Sequence, residues 1–449
     1  MSSGETRLAL RAGATCVITP AGAVLLNPPR KQKLSGLPRG QLLALKALNR
    51  APATVAELAA VAGDDVTALL DRLAGAGWLA VTVRAEGRDL YTVQPFGTPP
   101  RDEPAPLPPG ATLSKFAVLH RDSDGFVLEH PLSWCDIRIH DLRLLTLLEQ
   151  SGAEDSGLPA GFLADLHRGG FLADPAAEAA EFRSRSWSAP DLWFHRRSTL
   201  GERIVTWEHF GPTKWAKGRF PQPPTRKPDY PAAPIPLPRP DLAALRAADP
   251  TLTAVLEDRV STRAFDDAAP ITVAQLGELL FRTARSRGVR SEAPGEELVS
   301  KPYPSGGSVY ELELYPVVRN VAGLEPGMYH YDAHGHTLRK IAEAGSPAVA
   351  TLVKSTSATL ADGAEPQVLL VLGARTGRVM WTYEQVSYAV ILKHVGVLMQ
   401  TVYLAATAMG LGACAQGFGD TAAFVSAAGV DELEECSVGS IIVGTPRAG

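Results

Sequence analysis

Cysteine is scarce in this chain: four residues in 449, Cys16, Cys135, Cys414 and Cys436, with no CxxC pair and no histidine at zinc-ligand spacing beside them. That pattern excludes a disulfide-built scaffold, gives no structural zinc signature and fits a reducing cytoplasm. A basic excess is also missing, since the net charge is −4 and the isoelectric point is near 6.2. No chain-wide nucleic-acid partner follows from such a balance. The start, MSSGETRLAL, lacks the basic region, apolar run and small-residue cleavage site of a secretory signal, so export is not expected. Long apolar runs are rare too. Val395 to Gly419 is uncharged over a length that could cross a bilayer, but Gln400, Thr401 and Gln416, with Gly410, Gly412, Gly417 and Gly419, point instead to a buried helix entering a glycine-rich loop. No membrane partner is expected.

What is present is ordinary for a globular protein, 45% hydrophobic and 20% charged residues, over a length that implies two to four domains. The first 180 residues read as a diverged repeat. Thr15 to Leu26 and Phe116 to Leu128 each read as a hairpin, around Gly22 and Gly125, and each is followed by a leucine-rich helix, from Gln41 and from Asp141. Each copy closes on a similar turn, Gly77-Trp78-Leu79 and Gly170-Phe171-Leu172. In the first copy the order helix, turn, second amphipathic helix, then β-branched alternation is winged-helix grammar. Its would-be recognition helix carries Asp64, Asp65 and Asp71 against the single Arg72, the wrong sign for phosphate contact, so a peptide- or protein-docking module is expected rather than a DNA-binding one.

Arg183 to Lys227 holds ten Arg or Lys against three Asp or Glu, interleaved with Trp187, Trp193, Trp207 and Trp215. Proline then takes nine of the twenty positions from Pro221 to Pro240, which reads as a semi-rigid linker and a domain boundary. The expected division is therefore 1–100 and 111–182 as winged-helix-like modules, 183–240 as connector and 241–449 as a mixed α and β domain of catalytic size.

Three stretches of that last domain could carry chemistry. In "LEDRVSTRAF", Arg259, Ser261 and Arg263 stand at alternate positions, where an extended backbone turns them to one side: two guanidinium forks and a hydroxyl for one anion, or else a surface cluster. In "SKPYPSGGSVYELELYPVV", Pro304, Ser305, Gly306 and Gly307 let backbone approach a planar ligand, or simply turn the chain into a strand. In "AATAMGLGACAQGFGD", a helix runs into Gly410, Leu411 and Gly412, whose amides could point at a ligand. His330, His334 and His336 suit a hairpin with a polar tip better than a metal site.

Together with "GMYHYDAHGHTL", "GVLMQTVYLAATAMGLG" and the terminal "VGTP", these stretches resemble the nitroreductase superfamily and, within it, the SagB-type dehydrogenases, flavin-dependent azoline oxidases of ribosomal peptide biosynthesis. The resemblance covers Asp241 to Gly449, with a weaker match upstream, where peptide-azole oxidases carry winged-helix-like leader-recognition modules. It implies an α+β homodimer, its central mixed or antiparallel sheet wrapped by helices, with FMN between the subunits. By motif match Arg259, Ser261 and Arg263 hold the flavin phosphate, Arg447 adds to that clamp, Pro304 to Gly307 face the ring, Gln400 lies near it, and backbone at Leu411 and Gly412 contacts its N5 and O4 side. The implied partners are an azoline-containing precursor peptide and a cyclodehydratase.

The implied reaction removes a proton and a hydride from neighbouring carbons of a thiazoline or oxazoline, with dioxygen as terminal acceptor. Many relatives place a Lys-Tyr pair before the long helix; here the dipeptide is Thr382-Tyr383. Tyr383 inherits the base role, with Lys393 and His394 as substitutes, although a core aromatic at a helix start would look the same. Three other functions stay open: an NAD(P)H-dependent nitro or quinone reductase or small-metabolite oxidase, a catalytically inactive scaffold of a peptide-modifying complex, and a transcription regulator.

Overall fold

A computed structural model of the chain describes residues 5–63, 66–102, 104–107, 109–148, 160–204, 211–212, 215–360 and 363–447. Asp64, Asp65 and Trp207, used in the sequence reading, lie outside these residues. The chain divides into two compact units, Met1–Trp207 and Glu208–Gly449.

In the first unit both copies of the repeat contribute to one antiparallel seven-stranded sheet, in the order Ala53–Thr54, Glu5–Leu10, Leu79–Ala85, Arg88–Pro95, Cys135–Ile139, Gly125–Glu129, Val118–Asp122. The copies join where Val93 pairs with Ile137. The expected hairpins are there, closing at Thr19↔Gly22 and Asp122↔Gly125. The repeated aromatic turn has one physical origin in both copies. Trp78 N donates to Leu73 O and Phe171 N to Leu166 O, both at 2.9 Å, across Gly77 and Gly170, whose φ values are +67° and +74°. Each is a helix end closed through a left-handed glycine that drops the next aromatic into the core, where Trp78 and Phe171 are fully buried. Helices Arg39–Leu48, Val55–Ala62 and Val66–Gly75 surround Trp78, while Phe171 packs with Tyr91, Ile137, Phe162 and Leu166.

The second unit is a three-layer structure. Its antiparallel sheet runs Ile235–Pro236, Thr337–Glu343, Gly327–Asp332, Leu312–Val318, Val368–Arg375, Glu435–Gly444, Gly412–Gln416. Alternate residues serve opposite faces, as period two requires. Leu312, Leu314, Leu370, Leu372 and Ile441 pack with helices Val273–Ala284 and Ser387–Ala408, whereas Tyr315, Val317, Leu369, Val371 and Ile442 pack with Pro347–Ser355 and Thr421–Ala428. The uncharged stretch Val395–Gly419 resolves into the end of a core helix and the edge strand Gly412–Gln416. The helix Ser387–Ala408 is long and apolar enough to cross a membrane, but Ile391, Val395, Leu398, Val402 and Ala406 bury it against the sheet.

The proline-rich stretch is not a free linker, and the division of the chain falls before it. Pro221 to Pro240 lies on the second unit as a strap, and Ile235–Pro236 forms the edge of the sheet. Proline removes N–H donors but leaves carbonyls that need partners. Arginines and a tryptophan supply them: Arg378 donates to Pro223 O (2.5 Å), Arg375 to Pro224 O (2.8 Å), Trp381 to Phe220 O (3.0 Å) and Arg339 to Ala232 O (2.5 Å).

Candidate functional site

The helix Leu252–Asp258 ends at Arg259, and the chain continues extended. Ser261 bridges Ala413 in parallel, Thr262 N donates to Ala413 O (2.9 Å), Asp266 N to Thr445 O (3.0 Å) and Arg447 N to Ala264 O (3.1 Å). Three segments far apart in sequence are thereby laced together. Their arginines, Arg259, Arg263 and Arg447, stand at the surface or close to it and make no ion pair among the described residues. Arginines brought onto neighbouring backbone segments with no ion pair among the described residues could serve an anionic group.

One tyrosine ties the cluster together. Tyr403 Oη accepts from Ala415 N at 2.7 Å and meets Ser261 Oγ at 3.1 Å, and Arg259 lies 5.4 Å from its ring centre. Gly412 is required by the same packing, because a Cβ there would come within 2.7 Å of the Thr262 side chain.

The second cluster lies toward the other end of the same helix. Gly306–Ser308 is a single 3-10 turn, in which Gly307 and Ser308 have φ of +60° and +54°, followed by Tyr310 at +46°. Local bonds hold it: Ser305 Oγ accepts from Tyr310 N (3.1 Å), and Tyr310 Oη donates to Tyr303 O (2.8 Å). Gly306 N donates to His394 Nε2 at 2.7 Å, and His394 Nδ1 lies 2.8 and 3.1 Å from the two Glu311 oxygens. A Cβ on Gly306 would lie 3.5 Å from both His394 Nε2 and Tyr383 Oη, and one on Gly307 would be 2.9 Å from Tyr383 Oη. Tyr383 therefore packs on the Gly307 backbone more closely than a side chain there would allow.

Beside the turn in the chain is an ionic layer of buried Lys301, Glu311, Glu313, His330 and Arg378 with the half-buried Arg375. Burial alone would push the Glu313 carboxyl up, but the hydrogen bond from His330, with Lys301 and Arg375 nearby, holds it down at about 2. Burial, then the charge of Arg375, pulls Arg378 down to about 10. Burial also pushes the Tyr383 phenol above its ordinary value, so it is neutral at physiological pH.

Of the residues singled out from sequence, the structure brings Arg259, Ser261, Arg263, Leu411, Gly412 and Arg447 into one cluster and Ser305, Gly306, Gly307, Tyr383 and His394 into another. Pro304 is exposed at the entry to the turn. Lys393 and Gln400, seven residues apart on one helix face, are both exposed, and neither meets these clusters in a recorded contact. His330 is committed to Glu313 at 3.2 Å, and His336 to Tyr331 Oη and Pro238 O at 2.9 and 3.0 Å. Two residues escaped the sequence reading. Glu311 carried a signal, as an ionisable group in the buried strand run "ELELYPVV"; Tyr403, one aromatic in an apolar helix, carried none.

Comparison with known proteins fits this arrangement. The Nitroreductase family model matches residues 256–445. A protein of Methanocaldococcus jannaschii, provisionally named nitroreductase MJ1384, is 30% identical over 180 residues, which are 40% of this chain and 81% of that protein. The chain belongs to the nitroreductase family. A second family model, cyanobactin oxidase ThcOx, matches residues 111–203 of this nitroreductase-family chain. The trifolitoxin-processing protein TfxB of Rhizobium leguminosarum bv. trifolii is 33% identical over 136 residues, 30% of this chain and 36% of its own length. Both support the SagB-type reading within the family. A solved structure of the Escherichia coli microcin synthetase McbBCD complex with truncated pro-MccB17 bound aligns at 18% identity and a TM-score of 0.35, covering 47% of this chain and 84% of the matched one.

Proposed function

We propose that this protein is an FMN-dependent dehydrogenase that oxidises thiazoline or oxazoline rings in a ribosomally made peptide. The observation that carries the reading is the union, in one chain, of a nitroreductase-family domain at 256–445 with a ThcOx match at 111–203. Likeness to a peptide-processing protein, TfxB, points the same way.

In this reading Arg259, Ser261, Arg263 and Arg447 hold the FMN phosphate, backbone at Leu411 and Gly412 meets the ring's polar edge, and the Pro304–Gly307 turn forms a wall against its face. Arginines with no ion pair among the described residues, and a part-exposed glycine turn that carries no side chains of its own, are the features that fit such a ligand. FMN bound there would supply the hydride acceptor, and dioxygen its reoxidation. The chain's own tasks are to orient the ring carbons, exclude water and take the carbon-bound proton. Tyr383 Oη lies against the glycine wall, and Thr382 Oγ1 donates to Arg378 O, so no lysine at that position assists it. As a neutral phenol it takes up a proton only after losing its own, which ties turnover to alkaline pH.

The amino-terminal unit would dock the precursor peptide or a cyclodehydratase. Its sheet ends in the exposed strand Val118–Asp122, an open edge within the ThcOx-matched region that could take an added peptide strand. The enzyme is proposed to act as a cytoplasmic homodimer. Anaerobic mixing tests the assignment: an azoline-containing precursor should bleach the bound flavin and NADPH should not. Rapid bleaching by NADPH alone would favour a reductase, and a colourless protein that takes up no FMN would end the flavin reading.

A further inference from the structure

We propose that His394 is a positioning residue and not a base: Glu311 fixes its tautomer, and its Nε2 lone pair is committed to the backbone N–H of Gly306, which holds the glycine turn in shape. The use of that turn as a flavin wall rests on the function proposed above; the clamp itself is a property of this chain.

The turn needs an external hold. Gly307, Ser308 and Tyr310 all have positive φ, a conformation that non-glycine residues adopt only when their surroundings enforce it. Ser305 Oγ secures one side by accepting from Tyr310 N, and Arg378 Nε secures the far end by donating to Val309 O at 2.7 Å. Gly306 N–H lies between them, and its acceptor is His394 Nε2 at 2.7 Å. A neutral imidazole accepts only at its unprotonated nitrogen, so the ring proton must sit on Nδ1. That proton points at Glu311, whose oxygens are 2.8 and 3.1 Å away and which is 1% exposed.

To act as a base, Nε2 would have to release Gly306 and let the wall loosen during the step that needs it rigid. Of the three candidate bases, Lys393 is exposed and His394 is engaged. Tyr383 Oη makes no hydrogen bond among the described residues and lies within reach of both glycines.

Two measurements decide the matter. Nitrogen NMR on the wild-type protein should find His394 as the Nδ1–H tautomer; the Nε2–H tautomer would overturn the proposal without any substitution. Hydrogen exchange at the Gly306 amide should then separate two polar replacements. His394→Gln puts an amide oxygen about where Nε2 sits and should keep exchange within about threefold of wild type, whereas His394→Asn is too short and should speed it about tenfold. Equal effects of the two substitutions, or no effect of either, would sink the clamp. In the same proteins FMN titration should show weaker binding for His394→Asn and near-normal binding for His394→Gln. If wild-type protein binds no FMN, the cofactor reading falls while the exchange result still decides the clamp.

Discussion

The two ends of the helix Ser387–Ala408 are finished in opposite ways. At Tyr403 a hydroxyl ties Ser261 and Ala415 together beneath arginines that stand unpaired near the surface. At His394, about nine residues or roughly 14 Å up the helix axis, a buried imidazole and a buried carboxylate satisfy each other and a glycine turn. One end holds arginines with no ion pair among the described residues and the other pairs its imidazole with a carboxylate, so one is suited to receive an anion and the other to hold a shape. In the proposed enzyme, the phosphate's share of affinity should therefore reside at the Tyr403 end, and turnover, with the share of affinity that depends on the shape of the turn, at the His394 end.

Substitutions that separate affinity from turnover can break this comparison. The largest effect is expected at Tyr383. Tyr383→Phe should lower azoline turnover by about a hundredfold or more, the usual contribution of a positioned proton-transfer group, with FMN uptake unchanged. Its pH dependence carries a sign. Burial raises the phenol above its ordinary value, so below that value each pH unit should bring about a tenfold rise in phenolate and in wild-type turnover, while the residual rate of the Phe variant stays flat. Stopped-flow traces across neutral to alkaline pH would show it, and a wild-type rate independent of pH would remove Tyr383 from the role.

Arg259→Ala and Arg263→Ala should do the reverse, weakening FMN roughly tenfold to a hundredfold each, the range of charged hydrogen bonds, with little change in turnover at saturating cofactor. Fluorescence titration at two salt concentrations sharpens the contrast, because losing a cation should flatten the salt dependence. If turnover falls and affinity holds, the two ends have been assigned the wrong way round. Gly307→Ala probes the His394 end without removing a titratable group. At φ +60°, with Tyr383 Oη 2.9 Å from the new Cβ, it should cost about 1–3 kcal/mol in chemical unfolding and displace the phenol.

Local chemistry was legible in the sequence and long-range pairing was not. The alternating arginines, the proline-glycine turn and the repeated glycine-aromatic turns could be read because each is specified within a few residues. Glu311 meets His394 across 83 positions and Tyr403 meets Ser261 across 142, contacts that depend on how strands and helix pack and that no local pattern encodes. The proline-rich stretch misled for a related reason. Composition correctly says that such a segment is extended and poor in donors, but whether it is free depends on Arg339, Arg375, Arg378 and Trp381, more than a hundred residues away.

The smallest effect, and the finest test of the comparison, is expected at Tyr403. Removing its hydroxyl leaves Ala415 N without an acceptor and Ser261 Oγ without its neighbour, so Tyr403→Phe should cost about 1–2 kcal/mol of stability, seen as a lower denaturant midpoint at unchanged slope. The ring remains to support Arg259. If the hydroxyl only joins segments, FMN affinity should weaken no more than a few-fold. A loss as large as that of Arg263→Ala would mean that the hydroxyl itself faces the anion, and the Tyr403 end would then be a binding surface down to its scaffold.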